Sequence, residues 1–401
     1  MKRIVLAAIA LPFLSAHAAR AQDGPADAQA SRPGAYMNVS FVGLTDFAWS
    51  TEPRVRSLWL GDHDPRVRGF SIPNAELALD GHVDPYFQAF ANIAYKLDEN
   101  GETGVELEEM YALTTSLPHN LQLKAGQFFA EFGRQNTQHP HSWGFGDQPL
   151  ILNRVFGPEG LRSQGVRASW LAPTPFYTEV MVGVMNASGE TAYSFRSDES
   201  AEIHGGVPLD SAVAGVGDLL YVPRVAVSFD LSDTQTLLIG ASAALGPNNS
   251  GPDATTKIFG GDLYYKWKAT TGSKGFPFVT LQAEAITRRY DTELRPALDG
   301  GLDLPAETFK DDGGYAQILW GIKPLVVAGV RGEFVNARGA AFQSELRTDR
   351  YRISPNVTWY PTEFSKLRLQ YNYDHREAVG GDHSLLAQVE FLLGAHAAHK
   401  F

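Results

Sequence analysis

The stretch Leu385–Phe401, LLAQVEFLLGAHAAHKF, repeats every second residue. Leu385, Ala387, Val389, Phe391, Leu393, Ala395 and Ala397 are apolar, Phe401 closes the row, and His399 is the exception. The other face carries Leu386, Gln388, Glu390, Leu392, Gly394, His396, Ala398 and Lys400. Side chains of a strand point alternately to opposite faces, so the pattern is that of a strand with one apolar and one mixed face.

The same alternation recurs upstream. In Phe87–Leu97 the odd positions are Phe, Ala, Ala, Ile, Tyr and Leu, and the even ones include Gln88, Asn92 and Lys96. Leu367, Leu369, Tyr371 and Tyr373 alternate with Lys366, Arg368, Gln370, Asn372 and Asp374. Helical spacing accounts for none of this, and charges returning on one face suit a wet lumen better than a packed core. From residue 35 onward about sixteen such segments follow, parted by Gly, Pro, Asn and Asp clusters. The last of them are placed at 313–323, 325–335, 350–360, 365–374 and 385–401. Connections alternate in length: 81–85, 116–120, 173–175, 232–234 and Pro324 are short, whereas 49–68, 133–162, 187–218 and 290–312 are long. The expectation is an all-β fold, a transmembrane antiparallel β-barrel of about 16 strands with short periplasmic turns and long extracellular loops. Lumen faces then carry Lys96, Glu284, Arg331, Glu333, Arg352, Arg368 and Glu390.

Composition agrees. In 401 residues with 44% hydrophobic content there is no later apolar run long enough for a membrane helix, and mean hydropathy is slightly negative. A barrel escapes such windows because its two faces alternate. The 23 Phe, 15 Tyr and 7 Trp suit two aromatic girdles. The absence of Cys excludes disulfides, thiolate zinc sites and Cys nucleophiles.

At the N-terminus, Lys2 and Arg3 precede an apolar run from Ile4 to Leu14, and Ala19-Arg20-Ala21 fits a small-residue cleavage site. Residues 1–21 therefore read as a cleaved signal peptide, 22–34 as a flexible leader and 35–401 as the barrel. Cleavage removes Lys2, Arg3 and Arg20 and no acid, taking the formal charge from −11 to −14. Such a chain is a poor nucleic-acid partner. Its acids favour cations if they line a lumen, and otherwise sit on exposed loops.

The long connection 133–162, GRQNTQHPHSWGFGDQPLILNRVFGPEGLR, is the third outer loop and the richest in chemistry. It carries Arg134, Asn136, His139, His141, Asp147 and Arg154 among glycines and prolines. His139 and His141, with Asp147 nearby, offer N/O ligands for zinc or copper, although most such His pairs are polar loop residues. His396 and His399 fall on opposite strand faces. No G-x-S-x-G, H-E-x-x-H, P-loop or dinucleotide motif is present, and no enzymatic role is expected. Glu108 and Glu109, adjacent on a strand, are expected on opposite faces, which argues against a shared acid/base pair.

The segments GFSIPNAELALDGHVDPYF, VELEEMYALTTSLPHNLQLKAGQFFAEFGRQNTQHPHSWGFGDQPL and FGPEGLRSQGVRASWLAP, with the ending FLLGAHAAHKF, resemble Gram-negative outer-membrane porin-like barrels of the phosphate-selective type. The subgroup labelled zinc-regulated outer-membrane receptor is the most similar, and about a third of the chain carries the likeness. The resemblance implies a channel for passive diffusion of small hydrophilic solutes or ions in the outer membrane. It also implies contact with outer-membrane lipid, a homotrimer, and a terminal aromatic, Phe401, read by the barrel insertion machinery. General porins fold their third loop into the barrel. On that likeness Arg134, Asn136, His139, His141, Asp147 and Arg154 form the pore constriction, the alternative being a loop packed over its own Trp143 and Phe145. Two departures stand out: the loop lacks the dense Arg and Lys expected of a phosphate pore, and the leader is too short for a TonB-type plug. A zinc-linked receptor or uptake protein and a non-conducting structural or adhesion barrel are the competing readings; no cofactor is expected beyond zinc.

Overall fold

The computed structural model describes residues 36–97, 101–197, 212–270, 275–295, 303–339, 347–377 and 379–394. The segments read as signal peptide and leader, and His396, His399 and Phe401, lie outside them. Sixteen antiparallel strands close into one barrel, each paired with its chain neighbours and the last with the first. The first half comprises β1 (Tyr36–Ser50), β2 (Gly69–His82), β3 (Phe87–Leu97), β4 (Thr103–Thr114), β5 (Leu121–Phe129), β6 (Arg162–Leu171), β7 (Tyr177–Asn186) and β8 (Leu219–Ser232). The second comprises β9 (Gln235–Pro247), β10 (Thr255–Lys268), β11 (Phe278–Asp291), β12 (Thr308–Lys323), β13 (Val326–Arg338), β14 (Arg350–Thr362), β15 (Ser365–Arg376) and β16 (Gly380–Gly394). Every expected segment is a strand. The main differences in extent are β12 and β16, which begin five residues earlier than the alternation suggested, so the last long-end connection shrinks to 377–379.

Alternation sets the facing. On β16, Leu385, Val389, Phe391 and Leu393 face outward and Leu386 and Gln388 inward. β13 runs in the opposite phase: Val330 and Phe334 point out, Arg331 and Glu333 in. Closure joins every strand to two neighbours and leaves no open edge strand, which a hydrocarbon slab demands. Exposed aromatics gather at both rims: Phe47, Trp49, Phe70, Phe334 and Tyr351 at the long-loop end, and Tyr86, Trp170, Trp320, Trp359 and Phe391 at the short-turn end. Two such girdles flanking an apolar belt are the pattern of a membrane barrel.

The inside is filled from the long-loop end. A seven-residue helix, α1 (Leu150–Phe156), lies against the inner faces of β12 and β13. With Phe128, Phe132 and Leu161 it joins inward apolar residues Met185, Ile258, Ile286 and Val335 in one buried cluster. The first long loop contributes a smaller one, Val55, Leu58 and Trp59 against Ala48 and Leu386.

Candidate functional site in the barrel lumen

The third loop leaves β5 and turns inward at Gly133. Its φ of 61° is a left-handed conformation that glycine adopts freely, and a Cβ there would collide with the Glu284 carboxylate. That carboxylate accepts from the Arg134 and Gln135 amides at 3.0 and 2.7 Å. Arg134 stacks its guanidinium 3.9 Å over the Tyr264 ring. Asn136 is buried and bonds to Ala130, to the Leu161 carbonyl and to the Leu161 amide (2.8–3.0 Å). It closes the neck of the loop.

Beyond that neck the loop crosses between two oppositely charged walls. On β2–β4 the inward side chains include Glu76, Glu106, Glu108 and Glu109 against Lys96. On β13–β15 they are Arg331, Arg350, Arg352, Lys366, Arg368 and Arg376 against Glu333 and Asp374. The loop sends opposite chemistry to each. His139 and His141 reach the acidic wall. Asp147 reaches the basic one, where Arg331 and Arg352 donate to it at 2.5 and 2.8 Å. Gln370 and Trp59 donate to it as well, at 2.8 and 3.1 Å. Burial alone would lift the Asp147 pKa, but Arg331 and Arg352 hold it down at about 2. Asp147 is therefore separated from the two histidines, and the expected His-His-Asp ligand set does not assemble. The loop's carbonyls are gripped by the same wall: Lys366 donates to His141 O, Arg368 to Trp143 O and Asn356 to Gly144 O, at 2.7–2.8 Å. Arg154, on α1, pairs with Asp311 at 3.3 Å and donates to Thr348 O, away from both histidines.

At the acidic wall the sequence reading is corrected. Asn92 pairs with Glu109 and the next residue, Ile93, with Leu107, so Glu108 is an extra residue in β4. Such a β-bulge breaks the alternation. Glu108 and Glu109 are both buried in the lumen, not on opposite faces. His139 sits between them, with Nε2 2.9 Å from Glu109 Oε2 and Nδ1 3.3 Å from Glu108 Oε2 and 3.6 Å from Glu76 Oε2. His141 stacks on His139 at 5.8 Å between ring centroids and meets Glu76 Oε2 at 3.2 Å. Burial lowers the His139 pKa, but Glu76, with Glu108 and Glu109, outweighs it and raises the value well above the ordinary imidazole.

The first loop also enters the lumen, which sequence reasoning missed. His63 Nε2 lies 3.1 Å from Glu108 Oε1. Asp64 accepts from the Gln148 amide at 2.9 Å, and burial followed by the nearby Asp147 pushes its pKa up to about 6. Arg350 donates to Leu58 O at 2.5 Å. Beside His63, Asp62, Glu106 and Glu159 converge on the Lys96 ammonium. The only signal available was the density of ionisable residues in GDHDPRVR, which does not say which way a loop folds.

Fold and lumen together define a porin-type barrel: sixteen strands, apolar outside, ionic inside, with the third loop folded into the bore. The chain belongs to the same family as a protein of Aquifex aeolicus (strain VF5) described as uncharacterized, with which it is 33% identical over 356 residues, covering 83% of this chain and 70% of that one. No protein-family model matches. Among solved structures it is similar to the outer membrane channel DcaP of Acinetobacter baumannii, at TM-score 0.58 and 13% identity over 90% of this chain and 99% of that one. It is also similar to the anion-selective porin from Comamonas acidovorans, at TM-score 0.56 and 8% identity over 90% of this chain and 100% of that one. OmpT of Vibrio cholerae, in its trimer form, superposes at TM-score 0.54 and 8% identity over 90% and 100% of the two chains.

Proposed function

We propose that the chain is an outer-membrane channel through which small hydrophilic solutes or ions diffuse passively. The observation that carries this is the third loop, folded into the bore and held between an acidic and a basic wall. Opposed charges across a narrow passage orient dipolar solutes and select ions by electrostatics rather than by a dedicated binding pocket. Arg134, His139, His141, Asp147 and Arg154 shape the constriction, and Asn136 keeps the loop's neck closed. In this reading the protein is exported with a cleaved signal peptide, the short turns face the periplasm and the long loops face outside. It is not an enzyme.

The outer wall supports a homotrimer. Strands β3–β7 are 9–12 residues long against 12–16 for β8–β16, and an apolar groove of about 710 Å³ runs from β1 and β2 onto this shorter wall, lined by Met37, Leu79, Ala89, Met110 and Ala125. A second reading, a zinc-linked uptake protein, is favoured by one specific observation, the two histidines of the third loop on the Glu76, Glu108 and Glu109 carboxylates.

The deciding measurement is single-channel current of the refolded protein in a planar bilayer under a KCl gradient. Steady ohmic steps are expected, with a reversal potential that reports which wall dominates. Absence of conductance from a heat-modifiable, folded barrel overturns the channel reading and leaves the non-conducting alternatives.

A further inference from the structure

The acidic wall holds a cluster whose geometry exceeds what a hydrogen-bonded histidine needs. Three donor atoms, Glu76 Oε2, Glu108 Oε2 and His139 Nδ1, lie within 4.8 Å of one another. The two edges meeting at Nδ1 measure 3.6 and 3.3 Å. Zinc bonds of 2.0–2.2 Å in a tetrahedron place neighbouring ligand atoms about 3.3–3.6 Å apart.

The fourth corner is also occupied. The Asn92 amide nitrogen is 2.7 Å from Glu108 Oε2, 3.1 Å from His139 Nδ1 and 3.3 Å from Glu76 Oε2. The other end of that amide, Oδ1, is buried without a hydrogen-bond partner, in a side chain only 1% exposed. The two ends of an asparagine amide have the same shape. Exchanging them brings the oxygen to the corner shared by all three donors, as a neutral ligand, and leaves the NH2 end at the unpartnered position.

Three of the four ligands are held from behind. Asn74 donates to Glu76 Oε1. His63 Nε2 lies 3.1 Å from Glu108 Oε1. Glu109 lies 2.9 Å from His139 Nε2 and holds the ring with Nδ1 toward the other two carboxylates. Outer partners of this kind orient metal ligands and set their tautomer. The neighbouring acidic group, Asp62, Glu106 and Glu159, is different: its centre is filled by the Lys96 ammonium.

We propose that Glu76, Glu108, His139 and Asn92 form a tetrahedral site for a divalent first-row metal of the zinc class, which ties the third loop to the β2–β4 wall. His141, on the same Glu76 oxygen, orients that carboxylate. Two carboxylates, an imidazole and an amide oxygen form a borderline N/O donor set suited to zinc and without the thiolates of a purely structural site. The site goes beyond the channel reading and stands whether or not the pore conducts.

The test is zinc binding to the full chain, refolded in detergent and shown to be folded by heat-modifiable migration. One zinc per chain is expected by calorimetry. Cobalt loaded in its place should absorb intensely in the visible, as tetrahedral cobalt does and octahedral cobalt does not. His139→Ala and Glu108→Gln should abolish stoichiometric binding, Glu109→Gln should weaken it about 10–100-fold, and His383→Ala, at the far rim, should leave it unchanged. Folded wild-type protein that retains no zinc, or that holds cobalt without the intense bands, overturns the site even if a variant fails to fold. So does zinc binding of equal strength in His139→Ala and Glu108→Gln. Ohmic conductance without zinc binding sinks this proposal alone and leaves the channel reading in place.

Discussion

The two charged walls of the lumen face the same loop and hold it by different chemistry. The basic wall, β13–β15, is built mainly of guanidinium groups that stay ionised at any physiological pH, with Lys366 beside them, and it is met by internal acceptors: Asp147, Asp374, Glu333 and the carbonyls of Leu58, His141, Trp143 and Asp147. The acidic wall, β2–β4, is contacted largely by three imidazoles, His63, His139 and His141, with Lys96 and Arg162 at its edge. An imidazole is exchangeable where a guanidinium is not, since its proton can leave and its nitrogen can take a metal. The difference teaches that one wall is a fixed anchor and the other an adjustable one. Stability is expected to depend on the first, and loop position and selectivity on the second.

The sharpest way to break this comparison is Asp147→Ala. It strands Arg331 and Arg352 in the lumen without their shared acceptor, and breaking one side of a buried ion pair costs about 3–5 kcal/mol. The barrel should still close, because its ladder is untouched. The denaturant midpoint should fall, and single-channel current should rise and become noisy as the loop swings free. An unchanged midpoint and quiet current would show that the basic wall is no anchor. Arg368→Ala is the milder version. It leaves the Trp143 carbonyl and Gln388 without the donor that now reaches them at 2.7 and 2.9 Å, for an expected loss of about 1–3 kcal/mol, read from the same midpoint.

How much of this the chain announces follows from what alternation encodes. The sixteen strands were legible because every second residue on β3, β15 or β16 must face either lipid or lumen. The lumen faces of Lys96, Glu284, Arg331 and Arg368 followed from that period alone. Period fails where the backbone does: one extra residue at Glu108 flips the register locally, and nothing in VELEEMY marks it. Loop contacts were equally hidden. His139 and Asp147 are eight positions apart but sit on opposite walls, because the chain between them crosses the bore. Glu76 and Asn92 are neighbours on the β2–β3 hairpin, but they meet His139 only through insertion of the third loop, a long-range event with no local signature.

The finest test of the adjustable wall is a pH dependence at Glu159. This loop carboxyl is 2.6 Å from Lys96 and 2.7 Å from Arg162, with Asp62 and Glu106 around the same cations. Burial raises its pKa, Lys96 lowers it, Asp62 raises it again, and the balance stands at about 7. An acid whose pKa is higher folded than unfolded keeps its proton in the native state while the unfolded chain gives it up. Between the ordinary value of 4.5 and about 7 the native state therefore binds more protons, and its stability falls as pH rises through that window before levelling off. In the pore the same proton is lost as pH passes 7, adding one negative charge to the side of the lumen already acidic. Cation preference, read from the reversal potential in a KCl gradient, should increase between pH 6 and pH 8. Glu159→Gln should flatten that step while leaving the Arg368 and Asp147 contacts intact. A step that survives in Glu159→Gln would assign the titration to another group, and with it the claim that this corner of the acidic wall is tuned by burial.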